Sequence, residues 1–185
     1  MILDFSRIKN SKNLLAFSGG VDSSALFFLL LNHKIDFDIA IVNYNTREQS
    51  KDEIAYALNL AKEYKKEIFI KDVKLENSSN FEKNARDIRY IFFEQIIKEN
   101  SYETLITAHQ LNDRLEWFLM QLSKGAGLVE LFGIREFEEK KDYKIFRPLL
   151  NVSKDELENY LKENKIKYFI DNSNIDEKYK RNYFR

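Results

Sequence analysis

The sequence contains no cysteine, a single proline and only five glycines among its 185 residues. The lack of cysteine excludes a disulfide scaffold and thiolate metal sites, and it is typical of a cytoplasmic protein. No apolar run approaches the ~18–20 residues of a membrane-spanning helix, so we expect no membrane partner. Basic and acidic side chains balance at 30 each, so a polyanionic partner would need a local basic patch.

Apolar strands alternate with amphipathic helices along most of the chain, which predicts an α/β fold with an open parallel sheet and helices on both faces. We expect a Rossmann-like βα core over residues 1–124, followed by a glycine loop and a short helical extension over residues 125–185. Five strands are predicted, at residues 13–17, 37–44, 67–73, 103–108 and 143–150.

The joint between the first strand and the first helix reads Ser-Gly-Gly-Val-Asp-Ser-Ser, residues 18–24. Backbone amides at such a joint lack intrahelical acceptors and lie at the positive end of the helix dipole, which favours bound phosphate. The Gly-Lys-Ser/Thr ending of a Walker A loop is absent. A turn of small residues with a serine N-cap is the alternative interpretation.

This string resembles the PP-loop of the N-type ATP pyrophosphatases, whose signature is Ser-Gly-Gly-x-Asp-Ser. Members of that superfamily cleave ATP between the α- and β-phosphates and adenylate a substrate. The resemblance implies that the loop binds ATP and that its aspartate helps to place Mg²⁺. The matching residues are Ser18, Gly19, Gly20, Asp22 and Ser23, with Val21 in the free position.

A second group of polar residues follows the fourth predicted strand. His109 is placed at the carboxyl end of that strand, where open α/β sheets bind ligands. Asp113 and Glu116 lie three residues apart on one face of the next helix. The opposite face is predicted to be apolar, with Leu115, Phe118, Leu119 and Leu122. Carboxylates at a helix start also serve as a solvated cap, which is the alternative.

This second group is similar to the His-His-x-x-Asp-x-x-Glu motif of tRNA(Ile)-lysidine synthases, with Gln110 at the second histidine. Other segments resemble the same family, although each alone would pass for a solvated edge or a capped turn. One segment opens the third helix and carries Glu82, Arg86 and Arg89. Another ends the chain and carries Asp171, Ser173, Asn174, Asp176, Arg181, Asn182 and Arg185.

The resemblance implies a specific reaction. Enzymes of this family join L-lysine to the wobble cytidine of an isoleucine tRNA with a CAU anticodon. ATP activates carbon 2 of the cytosine as an adenylate and releases pyrophosphate, and the ε-amine of lysine then displaces AMP.

The resemblance also implies roles for individual residues. Residues 18–23 and His109 would bind ATP, and Asp22 would hold the metal. Catalytic roles fall to Asp22, Arg86, Asp113, Glu116 and Arg185. Binding of lysine or tRNA falls to Arg89, Asp113, Glu116, Asp171, Asn174 and Arg181.

Three alternatives stay open: a tRNA thiolation enzyme, a small-molecule ligase of the NAD-synthetase kind, and a non-catalytic nucleotide-binding module. Zero cysteines disfavours thiolation, because relatives that transfer sulfur usually use cysteine. Chains of the lysidine synthase family usually continue past the position of Arg185, so we expect tRNA-binding regions outside this sequence. A homodimer is also considered.

Overall fold

A computed structural model describes residues 1–45, 49–73, 81–131 and 133–170, except the side chains of Phe81 and Glu82. A short 3₁₀ helix, Ser6–Ile8, precedes the first strand. The strands are β1 (Asn13–Ala16), β2 (Asp38–Asn43), β3 (Ile68–Asp72), β4 (Thr104–Ile106), β5 (Phe137–Glu139) and β6 (Lys144–Phe146). The helices are α1 (Val21–Asn32), α2 (Gln49–Glu63), α3 (Phe81–Asn100), α4 (Leu111–Leu122), α5 (Leu128–Leu131) and α6 (Lys154–Glu163).

The strands form one sheet in the order β3-β2-β1-β4-β6-β5. All neighbours are parallel except β5, which pairs antiparallel with β6. The predicted α/β class is confirmed, but the prediction of five strands missed β5. Its three residues, Phe-Glu-Glu, are too short and too charged to show a strand period, and they become a strand only by pairing with β6.

The sheet is buried on both faces, as a parallel sheet requires. Successive β1 residues point to opposite faces, and Leu14 and Leu15 are both fully buried. Leu15 packs in a core with residues of α1, α2 and α6, whereas Leu14 packs with Phe93 of α3. Helices on both faces are therefore confirmed. Among the described residues, no helix combines the length and apolar character needed to cross a bilayer.

The order of the strands reverses at β1, because β2 lies on one side of it and β4 on the other. The carboxyl ends of strands at such a switch point border the crevice in which open α/β sheets bind ligands. The joint after β1 contains residues 18–20, and the joint after β4 contains His109. The topology thus brings the two predicted polar groups to one edge of the sheet.

Candidate nucleotide-binding site

The loop between β1 and α1 is shaped by its glycines. Gly19 has φ +77°, a left-handed conformation that other residues rarely adopt. Gly20 is the N-cap of α1, and its carbonyl accepts the first helical hydrogen bond, from Ser24 N at 2.9 Å. No side chain of the described residues caps α1, so the positive end of its dipole is directed beyond the loop.

The serines of the loop divide into inward and outward positions. The Ser18 and Ser23 hydroxyl oxygens lie 3.0 Å apart, and Ser18 N donates to Ser23 Oγ at 3.2 Å. Ser23 is buried and also donates to the Gly20 carbonyl, at 3.3 Å. Ser18 is exposed. Ser23 therefore braces the loop from within, and Ser18 is the hydroxyl that faces solvent.

Asp22 lies in the first turn of α1 and is partly exposed. Mg²⁺ in nucleotide sites is usually held by one or two carboxylates together with substrate phosphates and water, rather than by an all-protein cage. Within the described part of the chain, no group of three histidine or acidic residues could hold a metal alone. A single carboxylate beside a phosphate-binding turn thus fits a metal that arrives with the nucleotide.

His109 is held at the carboxyl end of β4 and is neutral near pH 7. Its Nδ1 lies 2.9 Å from the hydroxyl oxygen of Thr107. Burial lowers the pKa of His109 to about 4; the Asp113 carboxylate opposes this shift, and three cations add to it: Arg147, Arg86 and Arg89. The charges of Asp113 and of both predicted arginines of α3 therefore act on the His109 imidazole.

The two carboxylates of α4 differ in their surroundings. Asp113 Oδ2 accepts a hydrogen bond from Gln110 N at 3.0 Å and completes a capping box at the helix start. Glu116, one turn further, is only 5% exposed. The interpretation of a cap is therefore partly correct for Asp113, whereas Glu116 is not a solvated residue.

The apolar face predicted for α4 is wrong at two of its four residues, whereas Phe118 and Leu119 are partly buried. Leu115 and Leu122 are 55% and 54% exposed, while Glu116 is the buried residue of this helix. The start of α4 is joined to the turn before α6 by polar contacts, including Leu111 N to the Val152 carbonyl at 2.9 Å. The start of α4 is thus anchored next to α6, with Glu116 buried and Leu115 and Leu122 exposed.

Arg86 and Arg89 lie exposed on the first half of α3. The Arg86 guanidinium lies 5.0 Å from the centre of the Tyr90 ring. The Tyr44 hydroxyl, after β2, donates to the Ala85 carbonyl at 2.7 Å and fixes this part of α3 against the sheet edge. Burial raises the pKa of Tyr44, and the charge of Arg89 opposes that rise.

Arg147 is a residue of this region that the sequence analysis did not select. It follows β6 directly, is 5% exposed, and donates to the Arg135 carbonyl at 2.9 Å and to Glu138 at 2.8 Å. Its position after a strand that ends in Phe146 was the available signal. Because its charge acts on His109, Arg147 contributes to the positive potential of the site.

Several predicted site residues lie outside the described residues. These are Asp171, Ser173, Asn174, Asp176, Arg181, Asn182 and Arg185. The side chain of Glu82 is likewise not described. Their assigned roles stay predictions.

Comparison with known families agrees with the loop geometry. Residues 2–185 match the PP-loop domain family. The chain belongs to the PP-loop family. This PP-loop chain is 56% identical over 178 residues to a tRNA(Ile)-lysidine synthase of Campylobacter jejuni (strain RM1221). The matched region covers 96% of this chain and 55% of that protein. It is 53% identical to a tRNA(Ile)-lysidine synthase of Helicobacter pylori (strain ATCC 700392 / 26695), with 96% and 52% covered.

Solved structures with the same fold are more distant in sequence. The U34-tRNA thiolase from Methanococcus maripaludis, solved with its 4Fe–4S cluster, has a TM-score of 0.73 at 23% identity and covers 90% of this chain and 61% of its own. An NH3-dependent NAD synthetase from Campylobacter jejuni has a TM-score of 0.56 at 18% identity, with 86% and 68% covered. These likenesses show the fold. The PP-loop chain spans about half the length of the curated relatives it matches.

Proposed function

We propose that this PP-loop chain catalyses the ATP-dependent joining of L-lysine to the wobble cytidine of tRNA(Ile) with a CAU anticodon. The observation that carries the proposal is the 56% identity to tRNA(Ile)-lysidine synthase across 96% of the chain. The site supports it, because a phosphate-binding turn and a pair of carboxylates follow neighbouring parallel strands. ATP would be converted to AMP and pyrophosphate.

The loop residues 18–23 would bind the pyrophosphate portion of ATP. Amides at the start of α1 and the exposed Ser18 hydroxyl supply neutral donors. Asp22 would hold Mg²⁺, which offsets the negative charge that develops as pyrophosphate leaves. Arg86 and Arg89 carry fixed positive charges at the same edge of the sheet, and they would stabilise phosphate charge in the transition state.

Asp113 and Glu116 would bind the ammonium groups of lysine. An ammonium group is attracted to a carboxylate most strongly where water is excluded, and Glu116 is buried. Because its pKa is about 4, His109 stays neutral and does not repel the incoming cation. If the Thr107 hydroxyl donates to His109 Nδ1, the imidazole proton is on Nε2, from which it can donate to the nucleotide.

The remaining roles fall on residues after the described part of the chain. Asp171, Asn174 and Arg181 would contact lysine or tRNA, and Arg185 would stabilise phosphate charge. The target cytosine must leave its neighbours in the anticodon loop, which single-stranded RNA permits. We place the reaction in the cytoplasm, and a homodimer stays a prediction.

The test omits one substrate at a time. This chain is incubated with ATP, Mg²⁺, labelled lysine and tRNA(Ile), and pyrophosphate, AMP and labelled tRNA are measured. We expect pyrophosphate release to require the tRNA, and transfer of the lysine label to require ATP and the wobble cytidine. A tRNA with uridine at that position is the matched control.

Other outcomes would exclude the proposal. Pyrophosphate release that is independent of tRNA would indicate a small-molecule ligase. Transfer of label to the uridine control would show that the chain does not select cytidine. Binding of ATP with no cleavage under any combination would indicate a nucleotide-binding module.

A further inference from the structure

The loop between β1 and α1 is covered on one side by residues 166–170, which follow α6. We call these residues the strap. Phe169 N donates to the Gly19 carbonyl at 2.9 Å, and Gly20 and Phe169 form an isolated parallel bridge. The Phe169 ring packs on Gly19, because a Cβ added to Gly19 would lie 3.4 Å from Phe169 Cδ2. The strap is therefore in direct contact with the turn predicted to bind phosphate.

The strap is itself held by α2. The Tyr56 hydroxyl donates to the Lys167 carbonyl at 2.6 Å, and Gln49 Nε2 donates to the Ile170 carbonyl at 3.3 Å. The Tyr56 and Phe169 rings meet edge to face with centroids 5.8 Å apart. Burial raises the pKa of Tyr56 to about 12, so this phenol, neutral at pH 7, also remains a donor in mildly alkaline solution.

The contact with Gly19 determines the direction of one loop amide. In a planar trans peptide the carbonyl oxygen and the amide hydrogen point in opposite directions, and the described residues contain no cis peptide. The Gly19 carbonyl is held by Phe169 N and by the Ser24 hydroxyl, at 2.9 and 3.2 Å. The amide of the same peptide, Gly20 N, is therefore directed away from the strap and toward Ser18 Oγ, at 3.4 Å.

This amide faces the open side of the loop. Ser18 is exposed and Gly20 is partly exposed, whereas Gly19 and Ser24 on the strap side are buried. A hydrogen bond of 3.4 Å is long for N–H···O, so a phosphate oxygen can replace the serine as acceptor. Gly20 N thus has the position and orientation of a phosphate donor.

We propose that Phe169 is a positioning residue for ATP: the strap holds the Gly19 carbonyl and thereby aims the Gly20 amide at the pyrophosphate portion of the nucleotide. The inference rests on the ATP binding of the proposed function but not on lysine or tRNA. It also joins the loop to the segment that carries the predicted substrate residues, because Asp171 follows the strap directly.

The test compares variants of the strap with variants that leave its contacts in place. Phe169→Ala removes the ring that packs on Gly19, and Tyr56→Phe removes only the hydroxyl that holds the strap. Tyr160→Phe is the matched control, because its hydroxyl accepts from Asn32 at the other end of α1. Calorimetric titration gives the dissociation constants of ATP, pyrophosphate and AMP for each folded variant.

We expect the strap variants to bind ATP and pyrophosphate about tenfold more weakly, the lower range for losing one hydrogen bond to a charged group. AMP binding should be unchanged, because AMP lacks the pyrophosphate portion. Tyr160→Phe should bind ATP as tightly as the wild type. Phe169→Tyr keeps the aromatic ring and the backbone amide, so it should also bind ATP tightly. An equal loss for ATP and AMP, or unchanged ATP affinity in both strap variants, would overturn the proposal.

A second measurement needs no nucleotide. Amide hydrogen exchange in the free protein should be faster at residues 19–24 in Phe169→Ala than in the wild type, because the loop loses a contact. Unchanged exchange would overturn the role of the strap even if the wild type failed to bind ATP. That failure would count against the proposed function instead.

Discussion

Thr107 and His109 are in contact at the carboxyl end of β4, with the threonine hydroxyl oxygen 2.9 Å from His109 Nδ1. Thr107 is buried, so it can fix the plane of the imidazole ring. The ring lies among cations and one carboxylate, and its burial keeps it neutral. Both the orientation and the charge of His109 are therefore set by its surroundings.

We expect acid to destabilise the protein partly through His109. Its pKa in the folded state is about 4, below the ordinary value of about 6.5, so the unfolded chain binds this proton first as the pH falls. Its contribution to stability is fully present above about pH 6.5 and is lost progressively toward pH 4. Urea unfolding at pH 7 and at pH 4.5 measures this loss.

Two variants separate His109 from the other acid-sensitive groups. His109→Gln should lose less stability between the two pH values than the wild type. His33→Gln removes the other histidine of the chain, at the C-cap of α1, and is the comparison for the loss of an imidazole as such. The same loss in His109→Gln as in the wild type would contradict the prediction.

The carboxylates of α4 should affect lysine more than ATP. Asp113→Asn keeps an oxygen that can accept the capping hydrogen bond from Gln110 N, and Glu116→Gln keeps the shape of the buried side chain. Each loses a charged hydrogen bond worth ~1.5–3 kcal/mol, so the KM for lysine should rise roughly tenfold to a hundredfold. Pyrophosphate release in the absence of lysine should stay near the wild-type rate. If both variants lose ATP binding while lysine dependence is normal, the carboxylates serve the nucleotide.

Asp22 should be required for cleavage of ATP. Asp22→Ala removes the carboxylate that would hold Mg²⁺, and pyrophosphate release should fall by more than about a hundredfold. Asp52→Ala is a matched control, because Asp52 is also an aspartate in a first helical turn but is exposed on α2. Far-ultraviolet circular dichroism checks that both variants are folded. Normal pyrophosphate release by Asp22→Ala would remove it from the mechanism.

The sequence was informative where a local pattern carries the structure. Four of the five predicted strands precede helices with their own apolar period, and the loop at residues 18–23 has a signature within six positions. His109 could be predicted because it directly follows a strand. Each of these features depends on neighbours in the chain, so no tertiary contact had to be known.

The features that were missed depend on residues far apart in the chain. Strand β5 exists through pairing with β6, and Arg147 is buried because it binds Glu138 and the Arg135 carbonyl. Glu116 is buried on α4 while Leu115 and Leu122 of the same helix are exposed. Phe169 meets Gly19 from the other end of the chain. No local periodicity reports such contacts.

The glycine at position 133 is required by a tryptophan. A Cβ there would lie 2.9 Å from Trp117 Nε1, and that nitrogen donates to the Glu130 carbonyl at 2.9 Å. Gly133→Ala should therefore displace the indole, break this hydrogen bond and shift the emission of the chain's one tryptophan to longer wavelength. Gly125→Ala is the contrasting variant: its φ of +69° strains an alanine, but its added Cβ meets no atom within 4 Å, so the indole should not move. Unchanged emission in Gly133→Ala would show that the indole accommodates the methyl group.

In the part of the chain that the structure describes, four helices end in the left-handed conformation without glycine. At each end the next amide donates to the carbonyl five residues earlier, as from Lys66 N to Ala61 O at 2.8 Å, which is the Schellman motif. At these four helix ends the residues with positive φ are Lys34, Lys65, Ser101 and Lys165.

Replacing one of them by glycine should stabilise the protein. The left-handed conformation destabilises a residue with a Cβ by ~1–2 kcal/mol, and glycine avoids this strain. Part of that gain, about 0.4–1 kcal/mol, is lost because glycine makes the unfolded chain more flexible. Lys65→Gly should therefore raise the free energy of unfolding by about 0.5–1 kcal/mol. Lys62→Gly, three residues earlier within α2 and also exposed, should instead lower it by about 1 kcal/mol. Urea unfolding measures the free energy of unfolding of both variants. If both substitutions lowered it, the conformation at Lys65 would carry no strain.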